Sequence, residues 1–164
     1  HEARTGTIRA CTGLSDDRIR KVYSTYFRAG TTAGVKRRRG KSPRQVQRFV
    51  RNPDNQLQAT TLVALFCAGF LIRIDEDNSV HACWPRPDVE YGHRVCRAYE
   101  TYLVLHNDAA LNFEWAWNLL HSISYNDELY LASCEQCRTR YVQDAYGLDN
   151  AVCPSCRIEA RTAP

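Results

Sequence analysis

The sequence predicts a mainly α protein with an N-terminal helix-turn-helix, a helical body and a C-terminal ribbon pinned by four cysteines. Three observations carry that prediction. Cys134-x-x-Cys137 and Cys153-x-x-Cys156 are two knuckles separated by fifteen residues, the spacing of a four-cysteine metal site. Three long segments of the body repeat apolar residues at helical intervals. Near the start, two short helical stretches flank Thr12-Gly13-Leu14. The chain divides accordingly into a basic region over 1–53, a helical core over 54–126 and a metal-binding ribbon over 127–164.

Residues 1–10 read as the tail of a helix, and Cys11-Thr12-Gly13-Leu14 as a turn. Ser15 is a good N-cap, and Asp16 and Asp17 suit the positive end of the helix dipole. That helix runs to about Phe27, where Ala29-Gly30 stops it. Ile8, Leu14, Ile19 and Val22 fall on the face the two helices would share, and Gly13 falls where a turn wants positive φ. In a helix-turn-helix the second helix enters the major groove with its N-terminal residues at base edges. Ser15, Arg18 and Lys21 would then face DNA. A plain helical hairpin with a solvated charged face is the bland alternative.

Charge separates the halves. Residues 1–53 hold fourteen Lys/Arg and three Asp/Glu, a net of +11, and residues 54–164 hold eight and fifteen, a net of −7. Arg28, Lys36, Arg37, Arg38, Arg39, Lys41, Arg44, Arg48 and Arg51 follow one another without an acid. Such a run repels itself unless a polyanion neutralises it, and phosphate is the natural partner. Gly30 to Gly34 reads as a linker, and Ser42-Pro43 as the start of a short basic helix to about Val50. Arg44, Arg48 and Arg51 share one side of it. Double-stranded DNA is the expected partner, and a solvated tail is the alternative.

Asn52-Pro53-Asp54 breaks the chain. A helix is expected from Gln56 to about Ile72, burying Leu57, Thr61, Ala64, Leu65 and Ala68. Asp75 to Asn78 reads as an exposed turn. Asp88 caps a helix to about Leu105, with Val95, Tyr99, Tyr102 and Leu103 inside. The next helix spans about Ala109 to Ser124, and its apolar residues nearly encircle it, so it is buried or faces a partner. Its surface near Trp115 and Trp117 is a candidate partner contact. Asp127 to Ala132 reads as a strand leading into the ribbon.

Zinc prefers four tetrahedral ligands in a structural site, and thiolates bind it well. Cys134, Cys137, Cys153 and Cys156 are therefore the expected zinc ligands. A disulfide pair would need an oxidising compartment, and a redox dithiol only one Cys-x-x-Cys. The other four cysteines, Cys11, Cys67, Cys83 and Cys96, are scattered, which favours a reducing, cytoplasmic setting. The 164 residues are 44% apolar and 24% charged, within the globular range. The longest apolar run, Leu62 to Ile72, is far short of the roughly 20 residues that span a bilayer, so no membrane partner is expected. No apolar signal segment follows His1, and with no Met anywhere the natural chain is expected to begin upstream. Catalysis is not expected. The five histidines form no His-Glu-x-x-His pair, and no Gly-x-Ser-x-Gly elbow or Gly-rich phosphate loop occurs.

Thr12-Gly13-Leu14-Ser15 followed by Arg18-Ile19-Arg20-Lys21-Val22-Tyr23 resembles the helix-turn-helix of the flagellar transcriptional activator FlhC family. Ala98-Tyr99-Glu100-Thr101-Tyr102-Leu103 is similar to that family's mid-chain helix, Ala116-Trp117 matches the next, and Leu129 to Ser133 leads into Cys134 as it does there. The stretch Thr31 to Arg51 departs in being more basic, and the end after Cys156 lacks the usual Pro-rich basic tail. The resemblance implies a DNA-binding activator that works in a heteromeric complex with a FlhD-like partner and recruits RNA polymerase. It also implies structural zinc on the four cysteines. The target promoters would be flagellar, or those of transfer genes on a conjugative element or plasmid. The alternative is an RNA-binding zinc-ribbon protein, with Tyr23, Tyr26 and Phe27 stacking on single strands.

Overall fold

The computed structural model of the chain describes residues 1–27, 40, 45–125, 128–147 and 151–162. In order these form α1 (Thr5–Thr12), α2 (Asp16–Tyr26), α3 (Gln47–Val50), α4 (Pro53–Ala68), β1 (Ile72–Ile74), β2 (Val80–Ala82), α5 (Val89–Leu105), α6 (Phe113–Tyr125), β3 (Leu129–Ser133), β4 (Arg140–Asp144) and α7 (Pro154–Thr162). The strands pair as two separate antiparallel hairpins, β1 with β2 and β3 with β4. Among the described residues, no helix is long and apolar enough to cross a membrane.

Short polar side chains start the helices. Ser15 Oγ accepts from the Arg18 N–H at the head of α2 (3.3 Å), and Asp88 Oδ1 accepts from the Tyr91 N–H at the head of α5 (2.8 Å). Asn52 Oδ1 accepts from the Asn55 N–H (2.8 Å) with Pro53 next to it. Asn52-Pro53 thus opens α4 instead of breaking the chain, and the helix starts before the expected Gln56. It also stops earlier than Ile72. Phe70 takes a left-handed φ of 57°, the chain reverses, and Ile72–Ile74 pairs with Val80–Ala82 as a strand. The expected turn at Asp75–Asn78 is the loop of that hairpin, where Asp77 Oδ1 accepts from the Ser79 N–H (2.9 Å). Helix α6 begins at Phe113, not Ala109. The preceding backbone is held elsewhere: Ala110 N–H donates to Gln58 Oε1 (2.8 Å), and Leu111 N–H to the Tyr102 hydroxyl (3.1 Å). Tyr102 in turn donates to Gln58 Oε1.

Helix α4 is the axis of the core, touching α3, α5, α6, α7, β1 and β4. Its buried face carries Gln56, Ala59, Leu62, Val63 and Phe66. The face expected from the sequence, Leu57 to Ala68, is only half-buried or exposed. The reason is that apolar residues lie on every side of α4 while Gln56 and Gln58 are on its buried side, so periodicity cannot choose a face. On α5, Val95, Tyr99 and Tyr102 are buried as expected, whereas Leu103 is exposed beside Val104 and Leu105. On α6 the tryptophans are not an open patch. Trp115 meets Phe49 edge-on at 5.7 Å, and Trp117 meets Tyr91 edge-on at 6.4 Å.

The N-terminal helix begins within the chain, because Arg4 is extended (φ −71°, ψ 155°) and serves as its cap residue. Glu114, from the first turn of α6, takes the place of a capping side chain. Its carboxylate accepts from the Arg4 N–H (2.8 Å), the Arg4 guanidinium (2.9 Å) and the Thr7 hydroxyl (3.0 Å). Gly13 then turns the chain into α2 with φ 69°. A Cβ there would lie 2.7 Å from the Pro87 carbonyl oxygen, so the turn needs glycine for space as well as for φ. Ile19 is the buried residue of α2, Ile8 and Leu14 are half-buried, and Val22 stays exposed.

Candidate metal centre and basic surface

Cys134 closes β3, and the Cys134–Cys137 knuckle is the turn of the β3–β4 hairpin. The Cys134 N–H continues the ladder to the Thr139 carbonyl (3.0 Å), and the Arg138 N–H closes the turn onto the Cys134 carbonyl (2.9 Å). Arg138 completes it with a left-handed φ of 63°. The second pair lies elsewhere than in a matching knuckle. Cys153 precedes α7, Pro154 is its first residue, and Cys156 is in its first turn. Pro suits that position because its missing N–H would have no helical partner there. A backbone bond from the Glu135 N–H to the Ala151 carbonyl (2.9 Å) draws the two halves together.

The four Sγ atoms all lie within 4.8 Å of one another. A tetrahedral ion with metal–sulfur bonds of about 2.3 Å holds its sulfurs about 3.8 Å apart, and Cys137 and Cys153 are 3.6 Å apart. Cys134 and Cys153 are buried, Cys156 is partly buried and Cys137 is exposed. The cluster therefore has the dimensions and the donor set of a closed metal site. Backbone amides aim at the sulfurs: Cys153 N–H at Cys134 Sγ (3.2 Å) and Cys156 N–H at Cys153 Sγ (3.5 Å). For Cys134, burial works against ionisation, but the N–H groups of Cys153, Cys137 and Gln136 outweigh it and bring the thiol down to about 6. Hydrogen bonds from Thr139 lower Cys137 as well. Burial raises Cys153, while Cys156 is pushed up to about 12 by sharing its proton with Cys137 and Cys153. Two thiols thus lean to the thiolate and two hold protons, which a bound cation would displace.

The centre is fastened to the body through α4. Gln56, fully buried, donates from Nε2 to the Val142 carbonyl (2.6 Å) and accepts from Arg157 on α7. The Thr60 hydroxyl accepts from the Val142 N–H (3.2 Å). Leu129, Leu131 and Val142 belong to the main hydrophobic core, and Cys134, Tyr141 and Cys153 form a small cluster around the thiols. Nothing in the sequence pattern singles out Gln56 or Glu114, since a buried polar residue on an apolar helix is recognised only from its partners.

The expected DNA-contact residues fall into three groups. Ser15, Arg18 and Lys21 are exposed together at the start of α2. Arg20 pairs with Asp17 at 3.1 Å and Arg9 with Asp16 at 3.7 Å, while Arg18 and Lys21 have no ion-pair partner among the described residues. The two aspartates are thereby neutralised by neighbours. Lys36, Arg37, Arg38, Arg39, Lys41 and Arg44 lie outside the described residues. Arg51 is exposed, but Arg48 turns inward: its guanidinium sits 5.0 Å over the Trp115 ring and donates to the Ala110 carbonyl (3.3 Å). Arg48 is a packing residue, which separates it from Arg51 although both belong to one basic run.

Fold and site together define a mainly helical protein with a four-cysteine cluster, compatible with a metal site, packed against its body. No protein-family model matches the chain, and no curated protein matches it significantly.

Proposed function

We propose that the chain is a DNA-binding transcriptional activator of the FlhC type, with zinc at the four cysteines. The observation that carries this reading is the placement of Arg18 and Lys21. Among the described residues they have no ion-pair partner, and they are exposed on a helix that buries Ile19 and packs against α1. A helix with exposed cations near its N-terminus is what major-groove reading requires. The undescribed basic run, rich in guanidinium groups, supplies a phosphate grip that is independent of sequence. The likeness of Thr12-Gly13-Leu14-Ser15 and the approach to Cys134 to the FlhC family supports the same reading. It brings a FlhD-like partner and RNA polymerase as the expected assembly.

Selection of duplexes from a random pool, with and without a FlhD-like chain, tests it. Arg18→Ala is then expected to relax preference at one base pair by about 1–3 kcal/mol. Replacing Arg37, Arg38 and Arg39 with Ala is expected to weaken binding to all sequences and flatten the salt slope. Recovery of no enriched duplex under either condition rules the proposal out. The single-stranded RNA alternative keeps one specific point in its favour. Tyr26 is well exposed beside the stacked Tyr23–Phe27 pair at 6.2 Å, and stacking surfaces of this kind suit unpaired bases. Competition between duplex DNA and single-stranded RNA decides between them.

A further inference from the structure

Between α1, α2 and the first half of α5 lies a cavity of about 360 Å³, lined chiefly by Ile8, Cys11, Ile19, Val22, Val89 and Cys96. It exists because the two N-terminal helices approach α5 unequally. Helix α1 lies close on α5 at Gly92, where an added Cβ would meet Thr12 Cγ2 at 3.0 Å. Helix α2 follows the Gly13 turn and reaches the body fully only through Ile19. Burial holds the Cys11 and Cys96 thiols in their neutral form, so the walls carry little that would hold ordered water.

We propose that this cavity is a binding site for a small neutral apolar molecule. Its volume falls at the lower end of the range of about 300–1,000 Å³ found for small-molecule sites. The site bridges α2 to α5, so its occupant adds contacts on both sides of the gap. This inference is independent of whether the chain binds DNA.

The test is a fluorescence titration of the full chain with the neutral dye N-phenyl-naphthylamine, with decanol as competitor. A saturable signal at one dye per chain is expected, with displacement by decanol and a rise in the thermal midpoint of the protein. Val22→Trp and Val89→Trp fill the cavity from opposite walls. Both positions are partly exposed, so both variants are expected to fold, as circular dichroism would show. Each should weaken dye binding by about tenfold or more. Phe70→Ser, at an exposed site not lining the cavity, should leave binding unchanged. No saturable signal with folded wild-type protein overturns the proposal. So does wild-type dye affinity in both folded tryptophan variants. Sedimentation showing that these substitutions disrupt self-association, with dye binding intact, overturns it too.

Discussion

Replacing Glu114 by Leu tests how the N-terminal helices are held. Glu114 is 2% exposed and receives three hydrogen bonds from Arg4 and Thr7, one of them charge-assisted at 2.9 Å. The substitution leaves the Arg4 guanidinium, itself only 19% exposed, facing apolar surface. It also removes the acceptor for the buried Thr7 hydroxyl and for the N–H at the head of α1. Breaking a buried ion pair from one side costs about 3–5 kcal/mol, because the remaining charge keeps its desolvation cost. With a urea slope of about 2 kcal/mol/M for a chain of this size, the unfolding midpoint should fall by roughly 1.5–2.5 M. The assay is urea denaturation followed by far-ultraviolet circular dichroism. A companion variant sharpens it. Glu114→Leu combined with Arg4→Met and Thr7→Val removes all the polar partners together and should recover most of the loss, since a buried pair exchanged for matched apolar groups is often neutral. A single variant within about 1 kcal/mol of wild type would refute the reasoning, as would a triple variant as damaged as the single.

Three further outcomes follow from the structure. Gly13→Ala places a Cβ 2.7 Å from the Pro87 oxygen at φ 69° and should cost about 1–3 kcal/mol; Gly6→Ala, with nothing within 4 Å, should be neutral or slightly stabilising in the same thermal melt. Cys137→Ser and Cys156→Ser should each abolish stoichiometric metal binding, read by a chromophoric chelator, and loosen α7 from α4 by hydrogen exchange; retention of one tightly held ion per chain in either variant contradicts a four-thiolate site. Metal retention should also fail on acidification. The N–H groups of Cys153, Cys137 and Gln136 hold Cys134 below the ordinary thiol range even without a cation, and a bound cation lowers all four thiols further, so the ion should leave only as protons compete for the sulfurs on acidification. A metal-release curve centred well into the alkaline range would contradict that assignment.

Much of this molecule is written in short local signals. Ser15 and Asp88 each sit before a helix and cap it, because a short side-chain oxygen satisfies N–H groups that no turn of helix can reach, whereas Asn52, read as part of a break, proved to be the cap of α4. The two Cys-x-x-Cys pairs come together because their spacing and a hairpin leave them little else to do. Val95, Tyr99 and Tyr102 share one face because helical geometry alone puts them there. The β1–β2 hairpin was harder to read: Ile72 and Ile74 continue the apolar run of α4, and only the reversal at Phe70 separates strand from helix. The inward turn of Arg48 was not legible at all, since in sequence it is one base among nine.

What the sequence by itself determined is therefore the local chemistry: the caps of α2 and α5, which thiols gather, and how charge divides between the two ends. Only the tertiary structure decided which face of α4 is buried, that the second thiol pair belongs to a helix start, and that Gln56 and Glu114 are the polar ties of the core. The physical reason is range. Caps, turns and knuckles depend on residues a few positions apart, whereas the partners of Glu114 stand 110 and 107 positions away in the chain, and those of Gln56 stand 86 and 101 away. No pattern within a window of sequence can anticipate a contact that only chain folding creates.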